Sequence, residues 1–184
     1  NLSDERTVFA RAFGPGSIKK TETWAGFASL SYAFGAITTR AEVRYTSEKK
    51  TLLSGTDTTD ANYRKVAEKT FPVWTPRFTV DYKVQEDLLV YGSVAKGAKA
   101  GGFNASAPTP ADLPFEPETN WTYEVGVKTD LADNRLRVNA NYFYSRAKDL
   151  TLNATVEVAP GIFTFPVQNA GDATIQGLEF EVTA

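Results

Sequence analysis

Residues 37–46, ITTRAEVRYT, change character at every second position. Ile37, Thr39, Ala41, Val43 and Tyr45 fall on one side of an extended chain, and Thr38, Arg40, Glu42, Arg44 and Thr46 fall on the other. The period of two recurs. Phe78, Val80 and Tyr82 oppose Arg77, Thr79, Asp81 and Lys83; Trp121, Tyr123, Val125 and Val127 oppose Thr122, Glu124, Gly126 and Lys128. Leu136, Val138, Ala140, Tyr142 and Tyr144 oppose Arg135, Arg137, Asn139, Asn141 and Ser145, with Phe143 the exception. Leu178, Phe180 and Val182 oppose Gly177, Glu179 and Glu181. Repetition of this period predicts antiparallel β-structure.

The connections alternate too. Short turns are expected at Gly35-Ala36, Gln85-Glu86-Asp87 and Asp130 to Asn134, and longer polar connections at about 14–19, 49–72, 98–118 and 153–161. The coarse reading is an all-β, up-and-down meander of about eight strands at 5–13, 20–34, 37–48, 73–84, 88–97, 119–129, 134–152 and 162–183. Short connections at one end and long ones at the other match transmembrane barrels.

Alternation alone leaves two senses open. A soluble sheet turns its polar face to water and its apolar face to a core; a membrane barrel turns its apolar face to lipid and its polar face to a wet lumen. Aromatic positions favour the second. Tyr45, Trp74, Trp121, Tyr123, Tyr142 and Tyr144 lie toward the long-connection ends of their strands, and Tyr32, Phe34 and Tyr82 toward the short-turn ends. Eight residues separate Trp74 from Tyr82, roughly 19 Å along the axis of a barrel with strands tilted near 45°. Two aromatic belts around an apolar band are thus expected, with these nine side chains at the lipid interface.

The 184 residues suffice for one good-sized domain or for part of a larger one, and no internal boundary or low-complexity linker is evident. A net charge of −2 without a Lys/Arg cluster gives no footprint for nucleic acid. With no cysteine and no histidine, thiolate and imidazole metal sites and His-dependent triads are excluded, and no cofactor is expected. No apolar run of about 18 residues is present to form a transmembrane helix. The opening NLSDERTVFA lacks a secretory leader, so any leader is expected to have been removed or to lie upstream. KGAKAGGFN is glycine-rich but precedes no helix and carries no Lys-Ser/Thr pair, which argues against a phosphate cradle. Ala105 to Pro117 reads as a mobile surface loop.

Three blocks carry a family resemblance: PRFTVDYKVQEDLLVYGSVAKGAKAGGFN, FEPETNWTYEVGVKTDLADNRLRVNANYFYSRAKDL and NAGDATIQGLEFE. Together they resemble the barrel of a TonB-dependent outer-membrane receptor, from about residue 20 onward. Glu118, Glu124, Gly126 and Lys128 match the family's acidic, glycine and lysine positions, and Asn169, Gly171, Gly177 and Glu179 match its NAG and G-E signature. The resemblance implies a barrel of about 22 strands, plugged by an N-terminal domain, in the outer membrane of a Gram-negative bacterium. It also implies energy-coupled import of a scarce nutrient (a ferric siderophore, a cobalamin-like compound or an oligosaccharide), with outer-membrane lipid, TonB and an extracellular small ligand as partners. Residues 1–184 are then expected to be a partial barrel without the plug or the TonB-contacting segment, since EFEVTA lacks a terminal aromatic and eight strands cannot close such a barrel. The isolated chain is expected to self-associate through its open edges and apolar face.

The predicted lumen-lining residues are Arg40, Glu42, Arg44, Arg77, Asp81, Lys83, Glu124, Lys128, Arg137, Glu179 and Glu181. They could line a substrate path, but structural ion pairing across strands or contact with the plug is the preferred reading. Phe103, Trp74 and Phe115 could touch an extracellular ligand, with belt or loop packing preferred. Glu179 and Glu181 stand about 6.5–7 Å apart on one strand face, yet no cleft surrounds them in the sequence, and an enzyme is not expected. Two competitors stay open: a self-contained eight-stranded structural or adhesive outer-membrane barrel, and a soluble β-sandwich that binds carbohydrate.

Overall fold

The computed structural model describes residues 16–55, 63–104, 107, 109–133 and 135–184. Long strands β1 (Gly16–Phe34), β2 (Ile37–Gly55), β3 (Arg64–Gln85) and β4 (Leu88–Lys99) come first. Short β5 (Gly102–Phe103) and β6 (Pro114–Phe115) precede β7 (Glu118–Leu131) and β8 (Leu136–Lys148). Then come β9 (Thr151–Asn153), β10 (Val156–Ala159), β11 (Ile162–Thr164), β12 (Val167–Asn169) and β13 (Ala173–Thr183). Seven strands form one antiparallel sheet in the order β1-β2-β3-β4-β7-β8-β13, a meander that does not close on itself among the described residues. β5 pairs with β6, β9 with β12 and β10 with β11, all at the long-connection end.

The predicted strand at 5–13 lies outside the described residues. Elsewhere the order of the meander agrees with the expected one, but β1 begins at Gly16, inside the connection expected at 14–19, the strand expected at 134–152 is split into β8 and β9, and β10 lies inside the connection expected at 153–161. Three larger differences have a physical reason. First, the connection expected at 49–72 is mostly strand: Thr46 to Leu52 pair with Val73 to Ala67, and the ribbon continues to Ser54 opposite Arg64. Its charges suggested a loop but are partners across or along the ribbon. Lys49 and Lys65 each reach Glu68 at 3.5 Å, Lys50 reaches Glu48 at 3.1 Å, and the Thr51 hydroxyl donates to Glu68 at 3.3 Å. Pro72 and Pro76 are tolerated because they lie beyond Arg77, where β4 no longer flanks β3 and no ladder donor is required on that side.

Second, the strand expected at 162–183 is three pieces, β11, β12 and β13. β8 ends at Lys148, before Asp149 enters the left-handed region (φ 57°). Third, the stretch expected to be a mobile loop is tied down over residues 109–117. A single 3-10 turn at Pro110–Asp112 and the β5–β6 pairing shape it, and Asn104 N–H donates to Leu113 O at 2.8 Å.

This end also holds a small apolar core. Leu52, Phe71 and Phe103 are each at most 6% exposed. The Phe71 and Phe103 rings meet edge-on, with centroids 6.3 Å apart. The ammonium groups of Lys50 and Lys69 approach the Phe71 ring at 5.9 and 5.2 Å, a cation–π pair over one ring. Phe71 therefore joins the β2–β3 ribbon to the loop that carries β5. Truncation Phe71→Ala is expected to lower the local opening free energy there by roughly 3–5 kcal/mol. In hydrogen exchange the amides of residues 102–104 should lose protection while those of β7 and β8 keep theirs; equal loss in both regions would show that Phe71 supports the whole sheet instead.

Candidate functional site

Residues opposite one another in an antiparallel ladder share a face, so the register decides which side chains lie together. Arg40, Glu42 and Arg44 stand opposite Thr79, Arg77 and Thr75. Asp81 faces Tyr91 and Lys83 faces Leu89; Tyr91, Ser93 and Leu89 in turn face Gly126, Glu124 and Lys128. Glu124, Lys128 and Asp130 face Phe143, Asn139 and Arg137, and Asn141 and Asn139 face Glu179 and Glu181. All eleven charged candidates therefore lie on one face of the sheet.

Their hydrogen bonds differ from the expectation. Cross-strand ion pairs were anticipated; among the described residues Arg137 alone of this set makes one, donating to Asp130 at 2.6 and 3.2 Å. Glu42 and Arg77 are opposite in register without a salt bridge. Glu124, Glu179 and Glu181 are instead held by neutral donors. The Tyr91 hydroxyl donates to Glu124, Asn141 Nδ2 lies 3.1 Å from Glu124 and 3.2 Å from Glu179, and Asn139 Nδ2 donates to Glu181 at 2.9 Å. Lys128 Nζ sits 5.3 Å above the Tyr91 ring. Among the described residues Arg40, Arg44, Arg77 and Lys83 have no carboxylate partner, Arg44 Nε donating to the Thr46 hydroxyl at 3.2 Å.

Two glycines make room for this network. A Cβ at Gly126 would come within 2.6 Å of the Tyr91 ring, so the missing side chain lets the tyrosine lie across β7 and reach Glu124. A Cβ at Gly177 would stand 3.0 Å from the Phe143 ring. That explains the one aromatic that breaks the β8 alternation: Phe143 belongs to the polar face and rests on a glycine of the next strand.

The nine aromatic candidates lie on the opposite face. Trp24, Tyr45 and Trp74 form a row across β1, β2 and β3, with centroids 5.1 and 4.6 Å apart, and Tyr123 meets Tyr144 at 6.4 Å on β7 and β8. Tyr32, Phe34 and Tyr82 mark the short-turn end, with Tyr32 and Phe34 centroids 6.0 Å apart. No second sheet covers this face among the described residues, and its large apolar side chains are open, Leu30 at 73% and Phe180 at 72%. A sandwich would have buried them. Of the aromatics considered for ligand contact, Phe103 is buried against Phe71, the Phe115 ring lies against Gly102, and Trp74 stands in the aromatic row.

Sequence reasoning missed the residues that organise the loop end. Asn104 Nδ2 donates to Asp112 O and Val167 O, and its Oδ1 accepts from Val167 N, each at 2.8 Å. Asn169 Oδ1 accepts from Glu116 N at 2.8 Å, and its Nδ2 donates to Glu116 O at 3.0 Å and Asp149 O at 2.8 Å. Two carboxamides thus clasp the connection after β4 to the connection after β8. Lys69 pairs with Glu116 and adds the β2–β3 ribbon. Asn169 begins the NAG block, so its importance was visible, whereas its partners 53 and 20 residues away were not.

An open meander with one polar face, one exposed apolar face and aromatic rows at both ends of the apolar one is the wall of a membrane β-barrel. The family model described as TonB dependent receptor-like, beta-barrel matches residues 4–184, and the chain belongs to that family. It is 32% identical over 106 residues to the pesticin receptor of Yersinia enterocolitica, covering 57% of this chain and 15% of that protein. It is also 32% identical over 108 residues to the metal-pseudopaline receptor of Pseudomonas aeruginosa, covering 58% and 14%. Among solved structures, the ferric yersiniabactin uptake receptor of Yersinia pestis superimposes with a TM-score of 0.68 at 23% identity, over 91% of this chain and 25% of that one. Its likeness shows the fold. The aligned part of the chain spans only about 15% of the length of these curated relatives.

Glu118 opens β7 opposite Lys99, three residues from Trp121 toward the long-connection end and past the aromatic row. It accepts from Lys99 Nζ at 2.8 Å, from Thr151 N at 3.0 Å and from the Thr151 hydroxyl. The Lys99 ammonium and then the Thr151 hydroxyl hold its carboxyl below the usual carboxylate range. A carboxyl with a depressed folded pKa stabilises above its unfolded value of about 4.3 and loses that contribution as pH falls through the folded value. Protection of the Thr151 amide against exchange, corrected for intrinsic rates, should therefore decline below pH of about 4.3. In Glu118→Gln it should be lower at neutral pH and flat; a wild-type profile as flat as that of the variant would remove Glu118 from this role.

Proposed function

We propose that the chain is a stretch of the wall of a TonB-dependent receptor in the outer membrane of a Gram-negative bacterium, and that the intact receptor imports a chelated metal of the ferric-siderophore kind. The observation that carries this is the register. It sorts every charged candidate to one face and every aromatic candidate to the other. The relatives named for metal-pseudopaline and for ferric yersiniabactin uptake support the choice of cargo class.

In this reading the face of Ile37, Val43, Phe78, Val125 and Leu178 meets lipid, and the face of Arg40 to Glu181 lines the lumen. The long-connection end is extracellular. The polar face suits a lumen because Glu124, Glu179 and Glu181 already have neutral donors, while Arg40, Arg77 and Lys83 keep their charge available to a plug domain or a passing anionic chelate. Catalysis forms no part of this reading. The clasped loops after β4 and β8 present a surface of fixed shape at the mouth, and TonB acts through the plug rather than through these strands.

The chain has no cysteine, so introduced ones report cleanly within it. Single cysteines at positions 178 to 181, in the protein expressed from its natural reading frame and reconstituted in lipid, would carry a nitroxide. Labels at 178 and 180 should collide with dissolved oxygen, and those at 179 and 181 with a water-soluble nickel complex, alternating with a period of two. Equal access of the nickel complex at all four positions would sink the lumen and lipid assignment. In the host, deletion of the reading frame should abolish uptake of the ferric chelate it serves, and loss of TonB should do the same; uptake indifferent to TonB would overturn the transport reading.

A further inference from the structure

The apolar face carries a cationic row at its extracellular end in which Arg146 alone has a carboxylate partner among the described residues. Lys96 of β4, Trp121 of β7 and Arg146 of β8 stand in one register row, and Lys148 lies one pair further out, opposite Thr119. By alternation these side chains share the face of Val94, Tyr123 and Tyr144. Neighbouring strands in a ladder are about 4.8 Å apart, so Lys96 and Arg146 flank the indole with their backbones roughly 10 Å from each other.

On β2 the cation at the same end of this face, Lys49, is answered by Glu68 at 3.5 Å. On β4 to β8, Lys96 and Lys148 have no carboxylate partner among the described residues, and Arg146 reaches only Asp172, at 3.8 Å with both side chains about half exposed. Three cations around a tryptophan at the edge of an apolar band suit an anionic headgroup at the interface.

Immediately inward of that row is a groove of about 460 Å³ between Phe78, Val94, Val125, Tyr142 and Tyr144, floored by Gly92. It exists because position 92 has no side chain: an added Cβ would meet nothing nearer than Glu124 O, at 3.8 Å. The groove is lined mainly by apolar and aromatic side chains, surroundings that suit an acyl chain whose headgroup lies at the cationic row.

Resting on the assignment of this face to lipid, we infer that Lys96, Arg146 and Lys148 together with the Gly92 groove form a binding site for a phosphorylated lipid of the outer leaflet, the cations taking the phosphate and the groove an acyl chain. Hydrocarbon burial alone would not distinguish one lipid from another; the charges make the site selective.

The test uses the protein from its natural reading frame, delipidated in detergent and titrated in native mass spectrometry. The probes are phosphatidic acid, phosphatidylcholine of the same acyl chains, and inorganic phosphate. Three cations predict a preference for phosphatidic acid over phosphatidylcholine of roughly tenfold or more. The triple variant Lys96→Gln, Arg146→Gln, Lys148→Gln should bring the two lipids level. Gly92→Leu fills the groove without a backbone clash and should weaken phosphatidic acid severalfold while leaving its preference over phosphatidylcholine intact.

Equal binding of the two lipids by the wild type, or selectivity that survives the triple variant, would overturn the headgroup site. Gly92→Leu with unchanged affinity would overturn the groove. Inorganic phosphate displacing the lipid at equal concentration would show an anion site without a lipid, and a second copy of the chain occupying the face would appear as a dimer that excludes lipid; either result overturns the proposal. If the nitroxide at 178 reports lipid while no selectivity is found, this inference alone fails; if that label reports water, the assignment of the face fails first.

Discussion

Every feature of this molecule depends on a continuous antiparallel ladder whose register shifts only near its ends, at Leu52–Leu53 and at Lys83–Gln85, among the described residues. In a bilayer an unpaired backbone N–H or C=O costs several kcal/mol, so each spanning strand must be satisfied by its neighbours. β1, β2, β3, β4, β7, β8 and β13 pair in this way through the meander, β1 and β13 each with one neighbour among the described residues, and the register then fixes where every side chain goes. A slip of one residue between β2 and β3 would set Arg40, Glu42 and Arg44 on the face of Phe78 and Tyr82. The short turns at one end limit such slips. The rings of Tyr91 and Phe143 seated over Gly126 and Gly177 resist them from within, because each ring has one glycine to lie upon.

The two faces solve different problems. Under the proposed assignment the apolar face needs no protein partner, since lipid supplies its surroundings. The polar face must keep several carboxylates on adjacent strands without mutual repulsion. It does so largely with tyrosine and asparagine donors rather than with arginine. A carboxamide can donate to two carboxylates at once, as Asn141 does between Glu124 and Glu179, and hydrogen bonds to charged groups contribute about 1.5–3 kcal/mol each. The arginines of β2 and β3 therefore keep their charge unspent.

Strand identity and facing were legible because period-two alternation is local and repeated. Residues 37–46 carry it without exception, and the paired register of β2 agrees with it side chain by side chain. The ribbon beyond Thr46 was hidden for a physical reason. Both its faces carry polar groups, so SEKKT and RKVAEK show no alternation, and their charges look like loop residues until they are seen as partners across and along the ribbon. The clasp at the loop end was hidden for another. Asn104 and Asn169 act on backbone groups far away in sequence, and nothing in the local pattern names those partners. Phe71 fell inside the connection expected at 49–72, and only the approach of Phe103 makes it a core residue.

The same clasp constrains how the loop end can move. Four hydrogen bonds join the connection after β4 to the one after β8 through Asn104 and Asn169. At about 0.5–1.5 kcal/mol net for each, parting them costs a few kcal/mol even before Phe71 and Phe103 are exposed. A displacement that carries Glu116 must carry Asp149 and Val167 with it or break those bonds. Because Lys69 also holds Glu116, the β2–β3 ribbon resists the same displacement. The low-cost deformation is therefore a tilt of the ribbon and both loops as one body on the ends of β3, β4, β7 and β8, rather than the opening of any single loop.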